Sequence, residues 1–318
     1  MGMPSRGEQL RGLIERKEIL VLPGCANALQ AVTIERAGFE AAYMSGAGTA
    51  ATLLGMPDAG FTSMTEVVMN ARYIVGAIGV PLLCDADTGY GNAVNVRRTV
   101  HEFIRAGVGG IHIEDQVFPK RCGFVAGKQV VPIEEAAGKY RAAVDARDEL
   151  DPGFVIIART DARTAVGGGL DEAIARGKAY RAAGADVAYF EAPQSIDEIK
   201  AFIAEVKGPV MCTLVAIDPP VAWEALEALG VSVAFYPAAG HMAGNIANWD
   251  FLHDFRKRGP QAEVELKART RGHPIAGFGL FDVVGFPKVR EMEERYLPAE
   301  DREKYNRSTG MYVPGRRA

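Results

Sequence analysis

The chain has 318 residues, of which 48% are hydrophobic and 24% charged, with 36 Gly and 17 Pro; this is the profile of an ordinary folded protein and excludes disorder and collagen-like structure. Lys plus Arg number 36 against 40 Asp plus Glu, a net charge of −4, which offers no basic field for a phosphate backbone and argues against nucleic acid as a partner. No apolar run approaches the roughly 20 residues of a membrane span, and the widely spaced Cys25, Cys84, Cys122 and Cys212 suggest neither a disulfide framework nor a zinc site, so a soluble, cytoplasmic protein is expected.

From near the start to about residue 258, short β-branched runs alternate with longer amphipathic stretches, the pattern of parallel β/α units. The expected strands are Ile19 to Leu22, Ala41 to Ser45, Pro81 to Asp85, Gly110 to Glu114, Phe154 to Arg159, Val187 to Glu191, Val210 to Leu214 and Val231 to Tyr236. Val94 to Ala106, Ile133 to Leu150 and Asp171 to Ala183 carry helical spacing between them. Three such segments finish on Arg36-Ala37-Gly38, Arg105-Ala106-Gly107 and Ala182-Ala183-Gly184, where a Gly past the last turn can take the left-handed conformation that ends a helix.

Eight strands each followed by a helix is the count of an α/β (β/α)8 TIM-type barrel, whereas an open doubly wound sheet more often has fewer. The segment after Leu22 reads PGCANAL and lacks GxGxxG, which removes support for a Rossmann cofactor site. Residues 1–258 are therefore expected to form a barrel catalytic domain, and 259–318 a C-terminal helical extension. In that extension GHPIAGFGLFDVVGF is Gly-rich and apolar, KVREMEERYLPAEDREKY reads as an exposed charged helix, and the closing TGMYVPGRRA is expected to fray.

Function in such a barrel collects where strands leave their C-terminal ends. Strand two ends in Tyr43-Met44-Ser45-Gly46, strand three in Asp85-Ala86-Asp87, strand four in His112-Ile113-Glu114-Asp115, strand five in Arg159-Thr160-Asp161 and strand six in Glu191-Ala192-Pro193. Carboxylates gathered at one mouth repel, by roughly 4 kcal/mol for a pair about 4 Å apart at an effective dielectric near 20, unless a cation or proton intervenes. Oxygen donors without a His or Cys cluster point to a hard divalent ion, Mg²⁺ or else Mn²⁺, with Asp85, Asp87 and Glu114 as the candidate ligands. Arg159 could then clamp a substrate carboxylate, and the Ser45, Gly46 and Ala47 backbone could donate to an oxyanion, which implies a small carboxylic acid as substrate.

The segment Phe118-Pro119-Lys120-Arg121-Cys122-Gly123 places one cysteine beside two cations. Neighbouring positive charge lowers a thiol pKa and would make Cys122 an acid–base group, the alternative being an inert loop thiol. Gly123 and Gly127 bracket the loop and would let it close over substrate.

YMSG from Tyr43, GMPD ending at Asp58, DADTGYG from Asp85, IEDQVFPKRCG from Ile113, ARTDA from Ala158 and EAP from Glu191 together resemble the isocitrate lyase and phosphoenolpyruvate mutase superfamily, especially its 2-methylisocitrate lyase and alkylmalate (2,3-dimethylmalate) lyase branch, over residues 8 to 255. The resemblance implies a barrel whose eighth helix is exchanged between subunits, a homotetramer, and Mg²⁺ held with its waters by Asp58, Asp85, Asp87 and Glu114. It implies catalytic roles for Cys122, Arg159, Glu191 and Lys120, with Cys122 protonating the departing enolate. Tyr43, Ser45, Gly46, Ala47, Gly123, Arg159 and Thr213 would contact substrate. Phosphoryl-transferring members generally carry Asn in place of this Cys, so KRCG favours carbon–carbon cleavage.

Two positions depart from the lyase pattern. Phe124 stands where the loop normally has His, and Thr213-Leu214-Val215-Ala216 replaces an Asn-x-Ser/Thr-Glu pattern. Each lost charge-assisted bond costs roughly 1.5 to 3 kcal/mol, which disfavours a methylisocitrate-sized tricarboxylate; Tyr236 and His241 could compensate. The expected function is Mg²⁺-dependent cleavage of a 2-hydroxy acid such as an alkylmalate. The alternatives are oxaloacetate hydrolysis or decarboxylation, then phosphonopyruvate chemistry, then a metabolite-binding barrel without turnover.

Overall fold

In the computed structural model, which describes residues 3–314, eight parallel strands follow one another round a closed barrel: β1 (Leu20–Cys25), β2 (Ala42–Met44), β3 (Leu82–Asp85), β4 (Gly110–Glu114), β5 (Val155–Thr160), β6 (Val187–Phe190), β7 (Val210–Thr213) and β8 (Val233–Tyr236). β8 closes the ring on β1 in the register Leu20 to Val233 through Pro23 to Tyr236. Each expected strand is present, and the fold is the expected TIM-type barrel. β1 runs on past Leu22 because Gly24 and Cys25 pair with Tyr43 and Met44; the missing N–H of Pro23 forfeits one ladder bond without ending the strand.

Alternation along the strands divides the core in two. Leu20 and Leu22, Ala41 and Tyr43, Val155 and Ile157, Val187 and Tyr189, and Val233 and Phe235 belong to one cluster, which fills the barrel together with Leu10 and Ile14 of the N-terminal helix Arg6–Glu15. Ala42, Met44, Cys84, Ile111, Ile113, Ile156 and Ala158 belong to the layer between sheet and helices. The helix Ala93–Arg105 buries Val96, Thr99, Val100 and Phe103 against it, the i, i+3, i+4, i+7 stripe of an amphipathic helix. Gly38, Gly107 and Gly184 all have the left-handed backbone expected of them, at φ +91°, +81° and +97°.

The chain divides into two units, Met1–Ala243 and Gly244–Ala318. The second contains the helices Pro260–Arg269, Gly279–Val283 and Phe286–Tyr296 and two single-turn helices. Its final stretch is tied down where fraying was expected: the Tyr312 ring packs against Phe278, Phe281 and Phe286, and Arg290 donates to the Pro314 carbonyl. Residues 315–318 of that stretch lie outside the described residues. Among the described residues, no helix is long and apolar enough to cross a membrane.

Candidate active site

The polar strand ends meet at the C-terminal mouth of the barrel. Asp85, the last residue of β3, accepts from Asp87 N–H at 2.9 Å, from the Tyr43 hydroxyl at 3.2 Å and from Gly46 N–H at 3.3 Å. Burial opposes its ionisation, but His112, Lys120 and Arg159 outweigh it and hold Asp85 below the usual carboxylate range. Asp87 has an αL backbone, φ +46°, and burial pushes its carboxyl up to about 6 against the pull of Lys120.

Lys120 is buried, and its ammonium bridges Asp58 at 2.5 Å and Asp87 at 2.9 Å. Desolvation opposes its charge, but Glu114, Asp87, Asp85 and Asp58 hold it well above the ordinary lysine value. Glu114, the last residue of β4, is fully buried, and among the described residues neither carboxylate oxygen has a hydrogen-bond partner. Burial drives it well above the ordinary range, with Lys120 and Arg159 opposing; the approach of Arg159 Nη2 at 3.5 Å is too long to satisfy it.

Arg159 is held by Asp161, Nε to Oδ2 at 2.8 Å and Nη2 to Oδ1 at 3.0 Å, and its guanidinium lies 5.3 Å over the Tyr189 ring. Nη2 also stands 3.4 Å from Glu191 Oε1. The other Glu191 oxygen accepts from the Tyr189 hydroxyl and from Thr213 at 3.1 Å. Thr213 therefore fixes Glu191 from below; its hydroxyl also accepts from Ala192 N–H.

A divalent ion suits this chemistry. The orphaned Glu114 oxygens, beside Asp85 and Asp87, are buried acceptors that a cation or its waters would satisfy. No three His, Cys, Asp or Glu side chains converge on one point among the described residues. A Mg²⁺ ion held there would take one or two of these carboxylates directly and the others through its waters.

Two expectations need correction. The Cys122 thiol is not lowered by its flanking cations: burial pushes it up, Asp58 and Glu191 add to this, and Arg159 only partly offsets it. Lys120 is already spent on Asp58 and Asp87, and Arg121 is exposed. The oxyanion donors are also partly committed, since Ser45 N–H goes to the Cys25 carbonyl and Gly46 N–H to Asp85. Ser45 Oγ caps the helix Gly46–Leu54 by accepting from Gly48 N–H, with Ala47 in the first turn.

Several residues at the site had no role in the sequence reading. His112 Nε2 lies 2.8 Å from the Tyr43 hydroxyl, and among the described residues its Nδ1 has no hydrogen-bond partner, Asp85 Oδ1 standing 3.8 Å away; burial lowers it to about 4, so the ring is neutral at pH 7. Asp161, Tyr189 and Lys128 hold Arg159, Glu191 and the loop at Gly123. The first two stand two residues from Arg159 and Glu191, a spacing that puts side chains on one side of an extended chain.

Phe124 and Val215 are both exposed. Tyr236 accepts from Trp223 Nε1 at 3.0 Å, and His241 is buried with Nδ1 unpartnered among the described residues. Beside the loop lies an apolar cavity of about 820 Å³, lined by Phe61, Met64, Tyr90, Phe118, Val130 and Val131 among others; Asp85, Glu114, Arg159 and Glu191 do not line it.

Residues 10–244 match the model of the phosphoenolpyruvate phosphomutase family. The chain is 42% identical to 2,3-dimethylmalate lyase of Eubacterium barkeri, covering 91% of this chain and 97% of that protein. It is 41% identical to 2-methylisocitrate lyase of Shewanella oneidensis, covering 87% and 95%. Among solved structures, oxaloacetate acetylhydrolase with 3,3-difluorooxalacetate superposes with a TM-score of 0.82 at 35% identity, over 92% of this chain and 97% of that one. Phosphonopyruvate hydrolase in complex with oxalate and Mg²⁺ superposes with a TM-score of 0.82 at 31% identity, over 93% and 100%. Matched along most of its length by named lyases at 42% and 41% identity, the chain belongs to the isocitrate lyase and phosphoenolpyruvate mutase superfamily and is an enzyme of that family.

Proposed function

We propose that the protein is a Mg²⁺-dependent carbon–carbon lyase that cleaves a 2-hydroxy di- or tricarboxylic acid of the alkylmalate type into a 2-oxo acid and a second carboxylate or carbonyl product. The observation that carries this reading is the seat of the Cys122–Gly123 loop directly against Arg159 and Glu191. A thiol raised by burial keeps its proton at neutral pH, as an acid for a departing enolate must.

Asp85, Asp87 and Glu114, with Asp58 on the waters, would hold the ion, which supplies Lewis-acid polarisation of the substrate oxygen that becomes the keto group. Arg159, oriented by Asp161, clamps a substrate carboxylate. Glu191, fixed by Tyr189 and Thr213, sets the position of Arg159 beneath the loop. Lys120 holds Asp58 and Asp87 together through its ammonium; as the carbon–carbon bond breaks, the 2-hydroxyl proton passes to a base and Cys122 gives its own proton to the released carbanion. Tyr43, Ser45, Gly46, Ala47 and Gly123 border the space the substrate fills.

The test is a panel of 2- and 3-alkylmalates with Mg²⁺, followed by 2-oxo acid release. Release that disappears in Cys122→Ala supports the reading; release unchanged in both Cys122→Ala and Asp87→Ala removes it. A second reading, hydrolysis of oxaloacetate, is favoured by the similarity to oxaloacetate acetylhydrolase, and oxalate plus acetate as products would select it.

We also propose a cytoplasmic homotetramer. Four free cysteines support the location. Exposed Trp249, Leu252, Phe255, Val264 and Phe278 in the second unit support assembly, and light scattering of the purified protein measures it.

A further inference from the structure

In the loop between β4 and the helix Ile133–Leu150, residues 117–130 are mostly exposed, yet three of them are buried: Lys120, Gly123 and Lys128. Lys120 is accounted for by Asp58 and Asp87. Lys128 is not used by the chemistry proposed above, and a fully buried lysine needs a reason. Its ammonium donates to the Gly123 carbonyl and to Asp161 Oδ1 at 3.1 Å. Asp161 is the carboxylate that orients Arg159. One side chain thus joins the tip of the loop to the anchor of the guanidinium beneath it.

The backbone around Lys128 is held independently of that ammonium. The Lys128 carbonyl accepts from Val166 N–H at 2.9 Å, and Val117 N–H donates to Gln129 O at 2.8 Å. Gln116 and Val130 form an antiparallel bridge across the base of the loop. Asp161 is secured from behind, because its N–H donates to Asp115, which in turn accepts from Arg176 at 3.2 Å and Tyr180 at 2.7 Å. At the tip, by contrast, Cys122 N–H donates to the Asp58 carbonyl, and Gly123 packs on Glu191 and Arg159 without a side chain of its own.

We propose that Lys128 is the positioning residue that latches the catalytic loop, fixing the Gly123 carbonyl to Asp161 and thereby setting where the Cys122 thiol stands over Arg159 and Glu191. Arg121 is tied through its backbone to the Gln116 side chain, so removing the ammonium releases the Gly123 carbonyl and the chain that follows it while the stem keeps its backbone bonds. The latch acts on loop position whichever acid the loop delivers, so its failure and the failure of the lyase assignment are read by different measurements.

The experiment is alkylation of the full-length protein by iodoacetamide, resolved cysteine by cysteine by mass spectrometry. Cys25, Cys84 and Cys212 are fully buried and report any general loosening. In Lys128→Met, Cys122 should alkylate at least tenfold faster than in the wild type while those three stay unlabelled, and kcat should fall more than KM rises. Lys128→Arg, which retains a cationic donor, should recover part of the protection. Equal Cys122 rates in the wild type and Lys128→Met, within twofold and with the other cysteines protected, overturn the latch. If Lys128→Met labels the buried cysteines as well, Lys128→Gln decides by the same comparison, a selective rise at Cys122 supporting the latch and an unchanged rate overturning it.

Discussion

Gly123 lies directly on the carboxylate of Glu191. A Cβ at position 123 would fall inside the van der Waals shell of Glu191 Oε1 and 2.7 Å from its Cδ. Glu191 cannot swing aside cheaply, since Tyr189 and Thr213 both donate to its other oxygen. Gly123→Ala should therefore lift the loop rather than shift the acid. A displacement near 1 Å at a reacting group costs about 100-fold in rate, so kcat should drop by that order while the melting temperature changes little. Steady-state kinetics beside thermal unfolding tests this.

Cys122→Ala should lower kcat by about 10²- to 10⁴-fold, the usual contribution of a positioned acid, with KM little changed. Because burial raises the thiol above its ordinary value of 9.0, the protonated form persists through neutral pH, and activity should be lost as pH rises through that raised value. A pH profile of kcat whose alkaline limb lies below pH 8 would contradict the assignment of Cys122 as the acid.

Glu114 would link the proposed metal site to stability. Its raised pKa means that, without metal, the folded state keeps a proton the unfolded chain releases above about pH 4.5, so stability is lost as pH rises. Glu114→Gln removes that loss and should melt no lower than the wild type in chelator at pH 7. Mg²⁺ should raise the melting temperature of the wild type and leave the variant unmoved, with at least a tenfold loss of affinity by calorimetry.

Arg176→Leu should be the most destabilising of these changes. Asp115 is fully buried and relies on Arg176 and Tyr180. Removing one partner of a buried ion pair costs about 3–5 kcal/mol, to be measured as a lowered denaturation midpoint with an unchanged slope.

The barrel was legible because its strands are short apolar runs and its helices close on glycines such as Gly107, features set by local chemistry. That Asp85, Asp87, Glu114 and Arg159 gather in one place was legible because strand ends in this architecture share one mouth. The depth of burial was not. It reverses the expected direction at Cys122, since flanking cations in sequence need not face a thiol in space, and Lys120 spends its charge on Asp58 and Asp87. Lys128 carried no signal either: in a loop of exposed residues its burial depends on Asp161, 33 positions away.

The helix Arg6–Glu15 stoppers the far end of the barrel with Leu10 and Ile14. That leaves the C-terminal mouth, beside the Cys122 segment, as the open end. Under the proposed cleavage, both product fragments would depart through the same end by which the intact acid arrived.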